Sequence, residues 1–279
     1  MAKLAAAYAA GHLSTEDCLR IAYHRGRLSD SLKKTRPDLN GSMMALGLSC
    51  DRATTYLAQL GEHHEVVVAC INSPNSVTVS GDETGIAQLE ALLRTDNVFV
   101  RRLKVTVAYH SPHMGLIADE YYESIKDVEV KLTNSETPMV STVTTSLIEG
   151  SQLNATYWVR NMVSPVKFSQ AFETLLQTPS FATRHKGRDG QTTDILLEIG
   201  PHGALKAPLT QILSEVGRAD RFDYFSLLSR EENAAATSLE AAGRLWTKGV
   251  APSISKANMS DASPQQLMTI PDLPRYPWK

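Results

Sequence analysis

The chain has 279 residues, enough for one large domain or two modest ones. Hydrophobic residues make up 42% and charged residues 21%, and the formal net charge is -2, a balance that carries no nucleic-acid or acidic-membrane footprint. The longest apolar runs, such as EVVVACI, fall far short of a bilayer span, and the alanine-rich start is broken by Tyr8 and Gly11, unlike the core of a signal peptide. Cys18, Cys50 and Cys70 are odd in number and lack CxxC spacing, which fits a reduced, cytoplasmic setting with three small buried hydrophobes.

In chain order, helix and strand signals alternate, the mark of an α/β protein. LAAAYAAG reads as a helix closed by Gly11, and Ser14 with Asp17 three residues later predicts the N-terminus of the next helix, TEDCLRIAYHRGRL. MMALGLS and EVVVACIN are strand-like, SPN is a turn, and SVTVSGD alternates as a strand. DETGIAQLEALLRTD is an amphipathic helix with Ile86, Leu89, Leu92 and Leu93 on one face, and VFVRRLKV returns as a strand. This stretch, residues 36–106, predicts a small α+β subdomain. Beyond it, GLIADEYYESIKDV is helical, PMVSTVTT a strand, and ATYWVRNMV and PVKFSQAFETLLQ helices, with Pro165 suited to a first helical turn. DILLEIGP is nearly unbroken in its apolar character and predicts a strand buried on both faces. GALKAPLTQIL and SLEAAGRLWTKG are helical, and residues 249–279, polar and proline-rich, read as a linker held by Tyr276 and Trp278.

Chemistry concentrates at a few positions. His110 and His113 stand three apart in VTVAYHSPHM, just past a strand. They admit three readings: histidines satisfied in a turn, a metal pair, or a general base beside a nucleophile from elsewhere in the chain. Pro112 prevents one helix from running through both, and no further His/Cys cluster accompanies them, so no metal is expected. Arg25, in AYHRG, is either a cation near a helix end or a bidentate clamp for a carboxylate. Asn161, in YWVRNMVSPVKF, is either a helix-end cap or a neighbour that fixes the imidazole tautomer.

AAAYAAGHLSTEDCLRIAYHRGRL, GSMMALGLS, ACINSPNSVTVSGD, VAYHSPHM, YWVRNMVSPVKF, LLEIGPHGAL and the terminal LPRYPW occur in one order. Together they closely resemble the acyltransferase domain of fungal iterative type I polyketide synthases, of the malonyl-CoA:acyl-carrier-protein transacylase family. The resemblance implies an α/β-hydrolase-like large subdomain at residues 1–35 and 107–248, with an inserted ferredoxin-like subdomain at 36–106. It implies malonyl-CoA as donor, an acyl-carrier protein or synthase as partner, and no cofactor beyond the phosphopantetheine on that carrier. By position, His110 matches the general base, Arg25 the clamp on the malonyl carboxylate, and Asn161 the residue whose backbone carbonyl supports the histidine. VAYH departs from the tetrapeptides of bacterial modular enzymes, so it separates malonyl from methylmalonyl poorly.

The family's nucleophilic serine lies in a GHSxG elbow directly before the AAAYAAG helix. Here Met1, Ala2 and Lys3 occupy the last positions of that motif, and the serine would fall before the first residue. The expectation is therefore an N-terminally truncated, incomplete large subdomain with little or no transferase activity of its own. The alternatives are a carrier-protein docking module or one half of a split acyltransferase. Ser14, Ser42, Ser111 and Cys18 lack the context of an elbow.

Overall fold

The computed structural model describes residues 2–61, 64–130, 137–178, 185–186 and 192–253. The chain forms two compact units, Met1–Ala182 with Lys206–Ala219, and Thr183–Leu205 with Asp220–Lys279.

The first unit begins with α1 (Ala2–Ala9), which ends where Gly11 takes φ 73°. Glycine holds this left-handed conformation without the Cβ penalty of other residues. Helix α2 (Thr15–Thr35) follows, its first turn closed by Ser14 Oγ, which accepts from the Asp17 amide at 3.0 Å as the spacing predicts. It runs well past the predicted end, because Ile21, Leu28 and Leu32 continue the buried stripe.

The next sixty residues fold as β1 (Gly41–Leu46), α3 (Cys50–Leu57), β2 (Val66–Ser73), β3 (Ser76–Asp82), α4 (Glu83–Thr95) and β4 (Val100–Arg102). The strands lie in the order β4-β1-β3-β2, every pair antiparallel. This is the ferredoxin-like subdomain. Met44, Leu46, Val77, Val79, Ile86, Leu89 and Leu93 fill the space between its sheet and its helices. Helix α3 was not anticipated. Its cap, Ser49 Oγ accepting from the Arg52 amide, and its sole fully buried residue, Ala53, leave almost no apolar periodicity to read.

A 3-10 turn at Pro112–Ile117 leads into α5 (Ala118–Ile125), where a single helix was expected. Pro112 sits in the first turn and lacks the amide hydrogen an extended helix upstream would need. The strand expected at PMVSTVTT shortens to β5 (Met139–Val140), paired with β6 (Leu147–Ile148). Helix α6 (Ala155–Val163) comes next, and then β7 (Val166–Lys167), which joins the small sheet parallel to β2 with Cys70 opposite Val166. The sheet is thereby mixed. Pro165 precedes β7 rather than opening α7 (Phe168–Gln177). Leu4, Ala7, Leu13 and Ile21 pack with Tyr121, Ile125, Trp158 and Met162, so α1, α2, α5 and α6 share one core.

The second unit contains β8 (His185–Lys186), β9 (Thr192–Glu198), β10 (Phe222–Ser226) and α9 (Ala234–Thr247), while α8 (Lys206–Glu215) belongs to the first. Strand β9 lies between β10, parallel, and β8, antiparallel. It is not buried on both faces as its sequence predicts. Leu197 is 38% exposed and Ile199, just beyond the strand, 76%. The predicted linker beyond Ser253, with Tyr276 and Trp278, lies outside the described residues.

Candidate active site

His110 lies in a tight turn that ends the segment after β4, with φ 60°. A non-glycine residue in this conformation is strained and persists only where its surroundings hold it. Three contacts do so. Ser111 Oγ donates to the Ala108 carbonyl at 2.7 Å and accepts from the His113 amide at 3.3 Å. The ring of His113, which is 3% exposed, bonds through Nε2 to Asp82 Oδ1 at 2.9 Å. Gly41, at the start of β1, lets the turn approach, because a Cβ there would stand 2.5 Å from the Ala108 nitrogen. The rings of the two histidines thus bond to separate partners, His110 to Ser164 and His113 to Asp82.

His110 Nδ1 lies 3.0 Å from the backbone oxygen of Ser164. A carbonyl only accepts, so Nδ1 carries the proton and Nε2 keeps its lone pair. Burial pushes the imidazole pKa down to about 4, aided by the Arg25 charge and opposed by the Ser164 bond. At neutral pH the ring is an uncharged base.

Arg25 projects from α2, and its Nη1 donates to Asn161 Oδ1 of α6 at 3.0 Å. Burial lowers its pKa, with Tyr121 and Tyr109 opposing, yet a guanidinium stays charged. Among the described residues no carboxylate pairs with it, whereas Arg27 pairs with Glu120 and Arg102 with Glu90. A largely desolvated cation with one neutral partner keeps its attraction for an anion.

The structure brings Arg25, His110 and Asn161 together, with one change of role. The carbonyl that orients the imidazole is that of Ser164, three residues beyond Asn161, and the Asn161 side chain holds the guanidinium instead. The reason is local. Asn161 lies within α6, whereas Ser164 is the C-cap at ψ 156° and turns its carbonyl out of the helix. The proline that follows it forces this extended conformation, so SP at a helix end was the available signal.

Lys3 was not anticipated as part of the site. Its Nζ is closed off from solvent and, among the described residues, has no hydrogen-bond partner. Burial and Arg25 lower its pKa to about 8, and its charge is felt by His110 and Cys70. Burial in turn raises the Cys70 thiol to about 11. The signal was in the sequence: Lys3 shares an i, i+4, i+7 stripe with the buried Ala7 and Ala10.

None of the four alternative nucleophiles is set against the imidazole. Ser111 is bonded within its turn, Ser14 caps α2, Ser42 is buried in β1, and Cys18 Sγ donates to the Leu4 carbonyl at 3.4 Å. Among the described residues, no serine or cysteine side chain bonds to His110, whose one bond is to Ser164.

The family model described as "Acyl transferase domain" matches residues 1–252. The highly reducing polyketide synthase alnA of Emericella nidulans is 45% identical over 99% of this chain, and the partially reducing polyketide synthase tpeA of Talaromyces stipitatus is 43% identical over 99%. The chain spans only 11% of the length of either. Among solved structures, the acyltransferase domain from module 8 of the salinomycin polyketide synthase superposes with a TM-score of 0.75 at 27% identity, over 91% of this chain and 54% of that one. A loading acyltransferase from the avermectin modular polyketide synthase gives 0.73 at 26%, over 87% and 69%. No described helix is long and apolar enough to cross a membrane. With its family model matched along almost its whole length, the chain belongs to the acyl transferase domain family, and its likeness runs to the acyltransferase domains of polyketide synthases.

Proposed function

We propose that this chain carries the base and the carboxylate clamp for malonyl transfer from CoA to the phosphopantetheine thiol of an acyl-carrier protein, in the cytoplasm and within polyketide synthesis. The observation that carries the reading is the pairing of a neutral imidazole, free at Nε2, with a buried guanidinium that has no carboxylate partner. The malonyl carboxylate docks on Arg25 and supplies the missing anion. Its arrival also cancels the positive field that helps to depress His110. The ring becomes more basic as the donor binds, and so better able to take a proton from a hydroxyl or thiol at Nε2. Residues 1–35 and 107–248 supply the large subdomain, 36–106 the small one, and 249–279 the linker. No cofactor enters the scheme.

Transfer also needs the nucleophile, which no described serine or cysteine supplies to His110. The expected behaviour of the isolated chain is donor binding with little turnover. Calorimetric titration tests this. Malonyl-CoA is expected to bind at least ~10-fold more tightly than acetyl-CoA, and Arg25→Ala to erase the difference. Equal affinity for the two donors in the unsubstituted chain would sink the reading. A second reading has one observation in its favour. Tyr8, Leu19 and Tyr23 are 55%, 65% and 64% exposed on α1 and α2, an apolar surface suited to docking a carrier protein, a synthase partner or the other half of a split acyltransferase.

A further inference from the structure

The transfer scheme has no use for Lys3, yet its amine stands at the site. It lies in α1 on the face of Ala7 and Ala10, and its Nζ is shut off from water with no hydrogen-bond partner among the described residues. Its charge acts on groups from three elements: Arg25 from α2, Cys70 from β2 and His110 from the turn before the 3-10 segment. The pairing of Cys70 with Val166 sets β2 beside the stretch whose Ser164 carbonyl orients His110, which brings Cys70 to the His110 wall. None of the three is a carboxylate. An ammonium there is a second unpaired cation next to a guanidinium, and the surroundings favour the free amine. A lysine that is both desolvated and beside another cation has the two features by which enzymes make the amine nucleophilic.

We propose that Lys3 Nζ is an acyl acceptor, taking the acyl group of a thioester whose carboxylate is docked on Arg25. This rests on the clamp reading above. The amine nitrogen attacks the thioester carbonyl, a C–N bond forms, and the C–S bond breaks. The sulfur leaves as free CoA thiol, taking up the proton that the nitrogen loses, with the unprotonated Nε2 of His110 as the base on its path. Malonyl-CoA and lysine become Nζ-malonyl-lysine and CoA, with no change of oxidation state. The product is a neutral amide at nitrogen, so acylation removes the unpaired buried cation. Unlike an acyl-serine ester it is not a transfer intermediate. It is a lasting modification that replaces the amine beside His110 with a carboxylate-bearing group able to occupy Arg25. Half of the amine is free near pH 8, so the reaction should quicken as pH rises through that value.

The purified chain is incubated with malonyl-CoA, denatured, and weighed intact and as peptides. The expected result is one malonyl adduct on the peptide bearing Lys3, stable to neutral hydroxylamine, absent in Lys3→Met and formed at least ~10-fold more slowly in Arg25→Met. An adduct that hydroxylamine removes, or one mapped to another residue, overturns the proposal. Because the site is located in the unsubstituted chain, the result stands even if Lys3→Met fails to fold. Parallel titration separates the two ideas. Arg25-dependent malonyl-CoA binding with no adduct on Lys3 overturns this proposal and leaves the clamp. Equal rates from acetyl-CoA, unchanged by Arg25→Met, overturn the clamp and, with it, this proposal.

Discussion

The ferredoxin-like sheet and the His110 wall treat charge in opposite ways. In the small subdomain, Arg102 donates to Glu90 at 2.6 Å and to Glu83, Arg94 donates to Glu90 at 2.6 Å, and the Tyr56 hydroxyl meets Asp96 at 2.5 Å. Glu90 is held below the usual carboxylate range by its two arginines, and Arg102 is held up by Glu90. At the wall, Arg25, Lys3 and His110 are all displaced toward their uncharged forms by burial, and their charges act against one another. One region has closed its electrostatics within itself and gains stability. The other has left them open at a cost in stability, which is how a site keeps affinity for a ligand that supplies the missing charge.

The largest expected effect tests whether the two regions are separable. Leu89 is fully buried in the small core, and Leu89→Ala should lower unfolding stability in a urea titration by about 2–5 kcal/mol. Malonyl-CoA affinity of the folded fraction should not change. A parallel loss of affinity would mean that the sheet and the wall act as one.

A second substitution makes the wall resemble the sheet. Asn161→Asp places a carboxylate where the amide oxygen now accepts from Arg25 at 3.0 Å. The guanidinium gains the partner it lacks, and an incoming carboxylate meets a like charge. The urea midpoint should hold or rise, while malonyl-CoA affinity falls at least ~10²-fold in a titration. Retained affinity would show that Arg25 is not the anion site.

Acid should find the wall first. The imidazole titrates near 4 when folded, below its ordinary 6.5, so the unfolded chain binds the proton more readily across that interval. The contribution of His110 is whole above pH 6.5 and is lost as pH falls toward 4, roughly 3 kcal/mol at most. Urea midpoints at pH 7 and pH 4.5 should therefore differ less in His110→Asn than in the unsubstituted chain. An equal acid loss in both would place the sensitivity in other groups.

The two regions also differ in how far the sequence revealed them. The alternation of SVTVSGD and the apolar stripe of Ile86, Leu89 and Leu93 are local periodicities, and β3 and α4 appear where these place them. Strand β9 misled because an apolar run shows what a segment could bury, and Leu197 and Ile199 stay partly open. The candidate site residues were chosen through motif position, since neither Arg25 nor Asn161 carries a local signal that the two meet across 136 positions of chain. Ser164 escaped notice because its contribution is a backbone oxygen, to which residue identity is blind except through the proline beside it. Lys3 escaped because a lysine in an alanine-rich first turn reads as solvated until its stripe with Ala7 and Ala10 is drawn.

The smallest effect marks the limit of the paired region's advantage. Glu90→Gln keeps acceptor oxygen at the junction of Arg94 and Arg102 but removes the charge. Arg94 is 64% exposed and gains little from the pair, whereas Arg102 and Glu90, at 32% and 18%, are shielded enough for the pairing to register. The expected loss is about 1 kcal/mol in low salt, shrinking as ionic strength rises. A loss several times larger and indifferent to salt would mean that the small sheet, like the wall, depends on charges hidden from water. The contrast between a finished and an unfinished electrostatic surface would then no longer separate the scaffold from the site.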